Sequence, residues 1–150
     1  MASSPTADII VRDARDDEAE AVADLVRELA EGEAVESGVD AAQVLAYRDH
    51  PGSGVLVAEL DGRPAGALTY FMRPGLFHGG SWGYVDELIV TASARGRGVG
   101  EALLLEALQR FQAAGCAEAA VSTTFGNDPA TALYRKHGFA DDALFLERHF

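Results

Sequence analysis

The chain alternates between short apolar runs and longer amphipathic ones. Ile9-Ile10-Val11-Arg12 predicts a first strand. Asp16 or Asp17 then supplies an N-cap, and Val22, Leu25, Val26 and Leu29 recur at i, i+3, i+4 and i+7, the spacing of a helix with one buried face. Carboxylates cluster around its expected end at Gly32. Val39 to Tyr47 predicts a second, shorter helix, capped near Ser37 or Asp40 and closed before His50-Pro51-Gly52. Val55 to Leu60 and Arg63 to Phe71 flank Asp61-Gly62, the signature of a tight hairpin between two antiparallel strands.

Arg73 to Gly83, rich in glycine, reads as a loop, and Tyr84 to Val90 as the central strand. A helix over Val99 to Ala113 should bury Leu104, Leu108 and Phe111 and stop at Gly115. Ala119 to Thr123 reads as a fifth strand. Asn127-Asp128-Pro129 opens another helix, with Asp128 as cap and Pro129 at its first position, ending at Gly138. Leu144-Phe145-Leu146 predicts a last strand. Strands and helices in this order define an α/β chain, expected to form one domain over residues 1–150, with residues 1–7 flexible.

Composition narrows the picture. Apolar residues at 48% and charged residues at 24% describe a folded globular chain. Cys116 is the only cysteine and reads as a packed core thiol, so neither an intrachain disulfide nor a thiolate metal cluster is expected. His50, His137 and His149 lack metal-ligand spacing, and no metal is expected. A net charge of −12 argues against nucleic acid and favours a cationic ligand. No run has the length of a membrane span and no leader peptide is apparent, so a cytoplasmic location is expected and no membrane partner.

Candidate chemistry gathers where the central strand meets the following helix. Arg95-Gly96-Arg97-Gly98-Val99-Gly100 stands between them. A helix start leaves backbone N–H groups unpaired and carries the positive end of the dipole. Glycines let an anion reach those amides, and arginines fork onto phosphate oxygens. A dinucleotide fingerprint fails because Glu101 stands where its last glycine belongs, and a P-loop fails for want of a lysine. Gly79-Gly80-Ser81-Trp82-Gly83 matches G-x-S-x-G, but a strand follows it instead of a helix, which excludes a hydrolase elbow.

The run does fit R-x-x-G-x-G through Arg95, Gly98 and Gly100, and Asn127 with Leu133-Tyr134-Arg135-Lys136-His137-Gly138-Phe139 supplies a second motif in order. In these the sequence resembles the GNAT N-acetyltransferases. Within them Glu28-Leu29-Ala30, Glu33, Tyr84-Val85-Asp86-Glu87 and Asn127-Asp128-Pro129 most resemble the diamine (spermidine/spermine) and thialysine acetyltransferase group.

The resemblance implies an α/β (α+β) GNAT fold: a mixed, mostly antiparallel sheet of about six to seven strands with about four helices, splayed between strands four and five. It implies acetyl-CoA as co-substrate, held by Leu88, Ile89 and Val90 through their main chain, by Arg95, Gly96, Arg97, Gly98, Val99, Gly100 and Glu101, and by Asn127, Tyr134 and Lys136. A homodimer is expected from the same likeness.

Direct acetyl transfer needs an amine freed of its proton and a proton for the departing thiolate. Tyr134 is the expected acid, since a phenol stays protonated at neutral pH. Asp86 and Glu87 are adjacent acids in an apolar strand, and neighbours on a strand point to opposite faces, so only one should face a given site. By the resemblance Asp86 is the expected base and Glu87 assists amine binding. Glu31 and Glu33 are expected to form a distal anionic wall. The expected substrate is a small polyamine, diamine or lysine-like molecule. A protein N-terminus, a lysine side chain or an aminoglycoside is the alternative acceptor, and a non-catalytic CoA-binding module is the alternative of another class.

Overall fold

A computed structural model describes residues 8–150, so the expectation for residues 1–7 lies outside the described residues. Strand β1 (Ile9–Asp13) leads to helices α1 (Ala19–Gly32) and α2 (Ala41–Asp49). Strands β2 (Ser53–Leu60), β3 (Arg63–Arg73) and β4 (Trp82–Val90) follow, then helix α3 (Val99–Ala113), strand β5 (Glu118–Val121) and helix α4 (Asp128–Lys136). The sheet runs β1-β2-β3-β4-β5; its pairs are antiparallel except β4 with β5, which is parallel.

Local chemistry accounts for the boundaries. Asp40 caps α2 by accepting from the Gln43 amide at 2.8 Å, while the Gln43 side chain accepts from the Asp40 amide at 3.0 Å, a reciprocal capping box. Asp61 and Gly62 both take positive φ, 53° and 80°, as the two-residue hairpin between β2 and β3 requires. Helix α4 is capped by Asn127, which accepts from the Ala130 amide at 3.4 Å, one residue earlier than expected; Asp128 instead opens the helix beside Pro129.

Two buried clusters lie on opposite faces of the sheet. On one, Leu56, Leu68, Tyr70 and Val85 pack with Val99, Leu103, Leu104, Ala107 and Phe111 of α3 and Tyr134 of α4. On the other, Val55, Val57, Ala67 and Ile89 pack with Ala19, Val22, Ala23 and Leu25 of α1 and Val44 of α2. Leu108 is half-buried at the border of the first cluster. Gly83 shows how tightly α3 seats: a Cβ there would lie 2.5 Å from the Phe111 ring. That ring is fully buried and meets Tyr70 edge-on at 5.5 Å, so it has nowhere to move. Gly83→Ala is expected to cost about 1–3 kcal/mol of stability, read as a lower Tm. An unchanged Tm would show that α3 shifts freely.

The strand count differs from expectation. The predicted last strand at Leu144-Phe145-Leu146 does not form; Leu144 and Leu146 are exposed, at 78% and 81%, and β5 pairs on one side only. Local apolarity made the segment resemble a strand, but a strand exists only where a neighbour takes its hydrogen bonds.

Candidate active site

Strand β4 carries the site because its two edges behave differently. Trp82 to Val85 pair with Glu118 to Val121 of β5, and there the pairing stops. Beyond Val85 the strand continues to pair with β3, Leu88 opposite Leu68 and Val90 opposite Gly66, while its other edge faces no strand. The sheet is thus splayed beside β4 at Leu88, Ile89 and Val90, leaving main-chain groups open to a strand-like ligand.

A bulge lies at the start of this splay. Thr69 pairs with Glu87 but the next residue of β3, Tyr70, pairs with Val85, so Asp86 is the extra residue. The packing says the same: Val85 and Leu88, three apart, both face α3, which an unbroken two-residue period forbids. Glu87 consequently faces α1 and α2, and Asp86 turns to the same side. The Tyr47 hydroxyl, on α2, donates to Asp86 Oδ2 at 3.2 Å. The Thr69 hydroxyl donates to Glu87 Oε2 and accepts from the Glu87 amide at 3.0 Å. The expectation that only one acid faces the site is therefore corrected, and the bulge is the physical reason.

This crowding alters both acids. Loss of surrounding water, and then the neighbouring Asp86 charge, raise the Glu87 carboxyl to about 7. Loss of water also raises Asp86, opposed by the hydrogen bond from Tyr47. The Tyr47 phenol is pushed up by burial and then by the two acids, so it remains a donor. Sequence reasoning missed Tyr47 and Thr69: Tyr47 entered only as the last residue of a predicted helix and Thr69 only within the predicted strand Arg63 to Phe71, and no local signal marks either.

The glycine loop follows β4 directly. Gly96 and Gly98 have positive φ, 74° and 88°, and Gly98 is the N-cap of α3. The first helical bond runs from the Ala102 amide to the Gly98 carbonyl at 3.0 Å, leaving the amides of Val99, Gly100 and Glu101 without a helical acceptor. At Gly100 a Cβ would make only ordinary contacts, 3.5 Å to Val90 and 3.8 Å to Leu133. The fold itself does not require glycine there, whereas a close anion would. Arg95 Nε donates to the Val90 carbonyl at 3.4 Å, and Arg97 pairs with Asp61 at 3.2 Å.

Glu101 pairs with Lys136 at 2.6 Å and His137 at 2.7 Å, and these partners, Lys136 first, hold its carboxyl below the usual range. Two of the expected cofactor residues thus bind each other and tie α4 to the start of α3. Open amides, glycine without an internal need for it and an unpaired strand edge together suit an anionic group at the helix start and an extended hydrogen-bonding ligand along β4.

Tyr134 is 7% exposed and meets Phe139 edge-on at 5.8 Å. It borders a groove of about 480 Å³ between α3, β5 and α4, with Leu108, Val121, Thr131 and Phe139 among its walls. Burial raises its phenol, so it is protonated at neutral pH. Tyr134 and the acids lie on opposite faces of the sheet, and the splay between β4 and β5 is the opening between them. Glu33 accepts from the Thr124 hydroxyl at 3.2 Å, and Glu31 is exposed; no hydrogen bond among the described residues joins either to Asp86 or Glu87.

A mixed sheet splayed beside its fourth strand, with a glycine loop at a helix start, is the arrangement that the resemblance to the N-acetyltransferases implied. A sequence model of the Acetyltransferase (GNAT) family matches residues 19–139, and the chain belongs to that family. Among its relatives is a Glucosamine 6-phosphate N-acetyltransferase of Trypanosoma brucei brucei, 27% identical over 106 residues that cover 69% of this chain and 70% of the relative. The fold matches the crystal structure of a transcriptional regulator from Bacillus halodurans C-125 with TM-score 0.84 and 21% identity, over 95% of this chain and 100% of that one. It also matches a ribosomal-protein-alanine N-acetyltransferase from Brucella melitensis biovar Abortus 2308, with TM-score 0.80 and 18% identity, over 95% and 99%. At these identities the structures speak to fold. Members of the family normally use acetyl-CoA, and no helix among the described residues is long and apolar enough to cross a membrane.

Proposed function

We propose that this chain transfers an acetyl group directly from acetyl-CoA to the primary amine of a small cationic substrate, with Glu87 as base, Asp86 as ammonium anchor and Tyr134 as acid. The observation that carries the reading is the bulge that turns two acids to one face beside the open edge of β4. Acetyl-CoA supplies the activated acetyl thioester. Leu88, Ile89 and Val90 would hold its arm through their main chain, and the loop from Arg95 to Glu101 its pyrophosphate, with Asn127 and Lys136 nearby.

The chain's own groups then divide the proton work. Asp86, fixed by Tyr47, attracts an ammonium group; at an effective dielectric near 20 such an attraction is a few kcal/mol before desolvation. Glu87 takes a proton from the amine, directly or through water, because its carboxyl titrates at about 7 and so remains basic enough to hold one. Tyr134 holds a proton at its hydroxyl for the departing sulfur. This exchanges the roles that resemblance implied for Asp86 and Glu87: Glu87 is the less exposed of the two and the more strongly perturbed. Glu31 and Glu33 would extend the anionic rim.

The diamine or lysine-like acceptor belongs to this proposal. Relatives named for glucosamine 6-phosphate, ribosomal-protein alanine and aminoglycosides keep other amines in view. A thiol-release assay should include spermidine, lysine, an aminoglycoside, glucosamine 6-phosphate and an alanine-terminated peptide. Release with a small amine is expected. Acetyl-CoA binding without release by any amine would favour a non-catalytic CoA-binding module. A cytoplasmic setting is part of the same proposal.

A homodimer is also proposed, supported by the open edge of β5 and the exposed Leu144, Phe145 and Leu146. Light scattering is expected to give twice the chain mass, and Leu144→Glu with Leu146→Glu to give monomer. A wild-type monomer would overturn it.

A further inference from the structure

The face of the sheet that carries Asp86 and Glu87 does not end with them. Gly83 is turned toward Phe111 of α3, so Trp82 and Tyr84 face the other way, with the acids. On β3, Tyr70 meets Phe111 and Met72 packs on the same cluster, so Phe71 and Arg73 also lie on the acid face. Phe71 stacks on Tyr84 at 5.1 Å, and Trp82 stands edge-on to both, at 5.8 Å from Phe71 and 5.7 Å from Tyr84. The Tyr84 hydroxyl is fixed to Ser122 at 2.8 Å. All three rings are half-buried, and none belongs to the cluster that α1 and α2 cover. A rigid apolar floor therefore continues from the acids along β4.

At its far end stands a cation. The Arg73 guanidinium lies over the Trp82 ring, 4.5 Å from its centre, and forms no ion pair among the described residues. It borders a groove of about 360 Å³ whose one carboxylate, Glu118, is engaged by His78 at 2.9 Å. A guanidinium held flat on an aromatic face keeps its edge N–H groups free to fork onto a carboxylate or phosphate.

We infer that Phe71, Trp82, Tyr84 and Arg73 form an acceptor subsite, which selects a primary amine joined through a hydrocarbon or aromatic body to a terminal anionic group. The amine sits at Asp86 and Glu87, the body crosses the rings, and the anion meets Arg73. Trp82 and Asp86 are four strand residues apart, about 13 Å at ~3.3 Å per residue, which the two side chains shorten from either end. This inference rests on the amine-transfer reading and narrows its acceptor to the lysine-like arm, amines that also carry an anionic group, setting the diamine and polyamine arm aside because either would place a second cation against Arg73.

Matched amines test it. 6-Aminohexanoate is expected to exceed hexylamine and 1,6-diaminohexane at least tenfold in kcat/KM, and 3-aminopropyl phosphate separates phosphate from carboxylate as the preferred anion. Arg73→Ala should erase the advantage of the anionic amines mainly through KM, Arg73→Lys should restore part of it, and Trp82→Leu should weaken every member that crosses the rings. Acetyl-CoA binding by calorimetry confirms that each variant is folded. Preference for the diamine, or an advantage unchanged in Arg73→Ala, overturns the inference.

Calorimetric titration of 6-aminohexanoate into the CoA-bound protein provides a readout apart from turnover. If no amine is acetylated yet this titration shows binding that Arg73→Ala abolishes, the transfer reading fails and the subsite stands. If acetylation occurs but the titration and the Arg73 dependence are both absent, the subsite fails alone.

Discussion

Glu87→Gln is expected to lower kcat by about 10²–10⁴-fold and to remove the acidic limb of its pH profile. In the unsubstituted protein that limb should fall below a midpoint of about 7, since a protonated carboxyl cannot accept the amine's proton and burial has raised the group that far. Asp86→Asn removes the lesser of the two causes of that rise, the neighbouring charge. The limb should then move to lower pH but stay above the ordinary glutamate range, because the larger cause, loss of water, remains. It should also raise KM for the amine more than it lowers kcat. Since the amine titrates as well, the comparison is made between variants on one substrate. A limb that survives Glu87→Gln and vanishes in Asp86→Asn would return the base role to Asp86.

Tyr134→Phe is expected to reduce kcat by about 10²-fold or more while the KM for acetyl-CoA changes little. The ring is buried against Phe139 and the α3 cluster, and phenylalanine keeps that packing. Only the hydroxyl is lost, and it forms no hydrogen bond with another of the described residues that the fold would miss. A variant with full turnover would exclude Tyr134 as the acid. A variant with a markedly lower Tm would show that the hydroxyl serves the fold instead.

Much of the scaffold was legible because its causes are local. The i, i+3, i+4, i+7 spacing from Val22 to Leu29 describes a helix face whatever it packs on, and Asp61-Gly62 makes its hairpin from φ preferences alone. The glycine loop was legible for the same reason, since Gly98 at positive φ and the open amides that follow are properties of a few consecutive residues. Where local signals misled, they lacked a partner. Leu144-Phe145-Leu146 has the apolarity of a strand and no neighbour to bond, and Asp128 has the chemistry of a cap one position too late.

The sequence by itself determined the order of elements, the glycine loop between Val90 and Val99, and the identity of the ionisable groups at positions 86, 87 and 134. Tertiary structure decided how those groups meet. Strand periodicity places Asp86 and Glu87 on opposite faces. The register of β3 against β4 inserts Asp86 as an extra residue and turns both to one side, where Tyr47 and Thr69, 39 and 18 residues away in the chain, bond to them. A bulge depends on two strands pairing, and a pKa near 7 depends on what crowds out water. Neither cause resides in the few residues around the acids, so only the folded chain contains it.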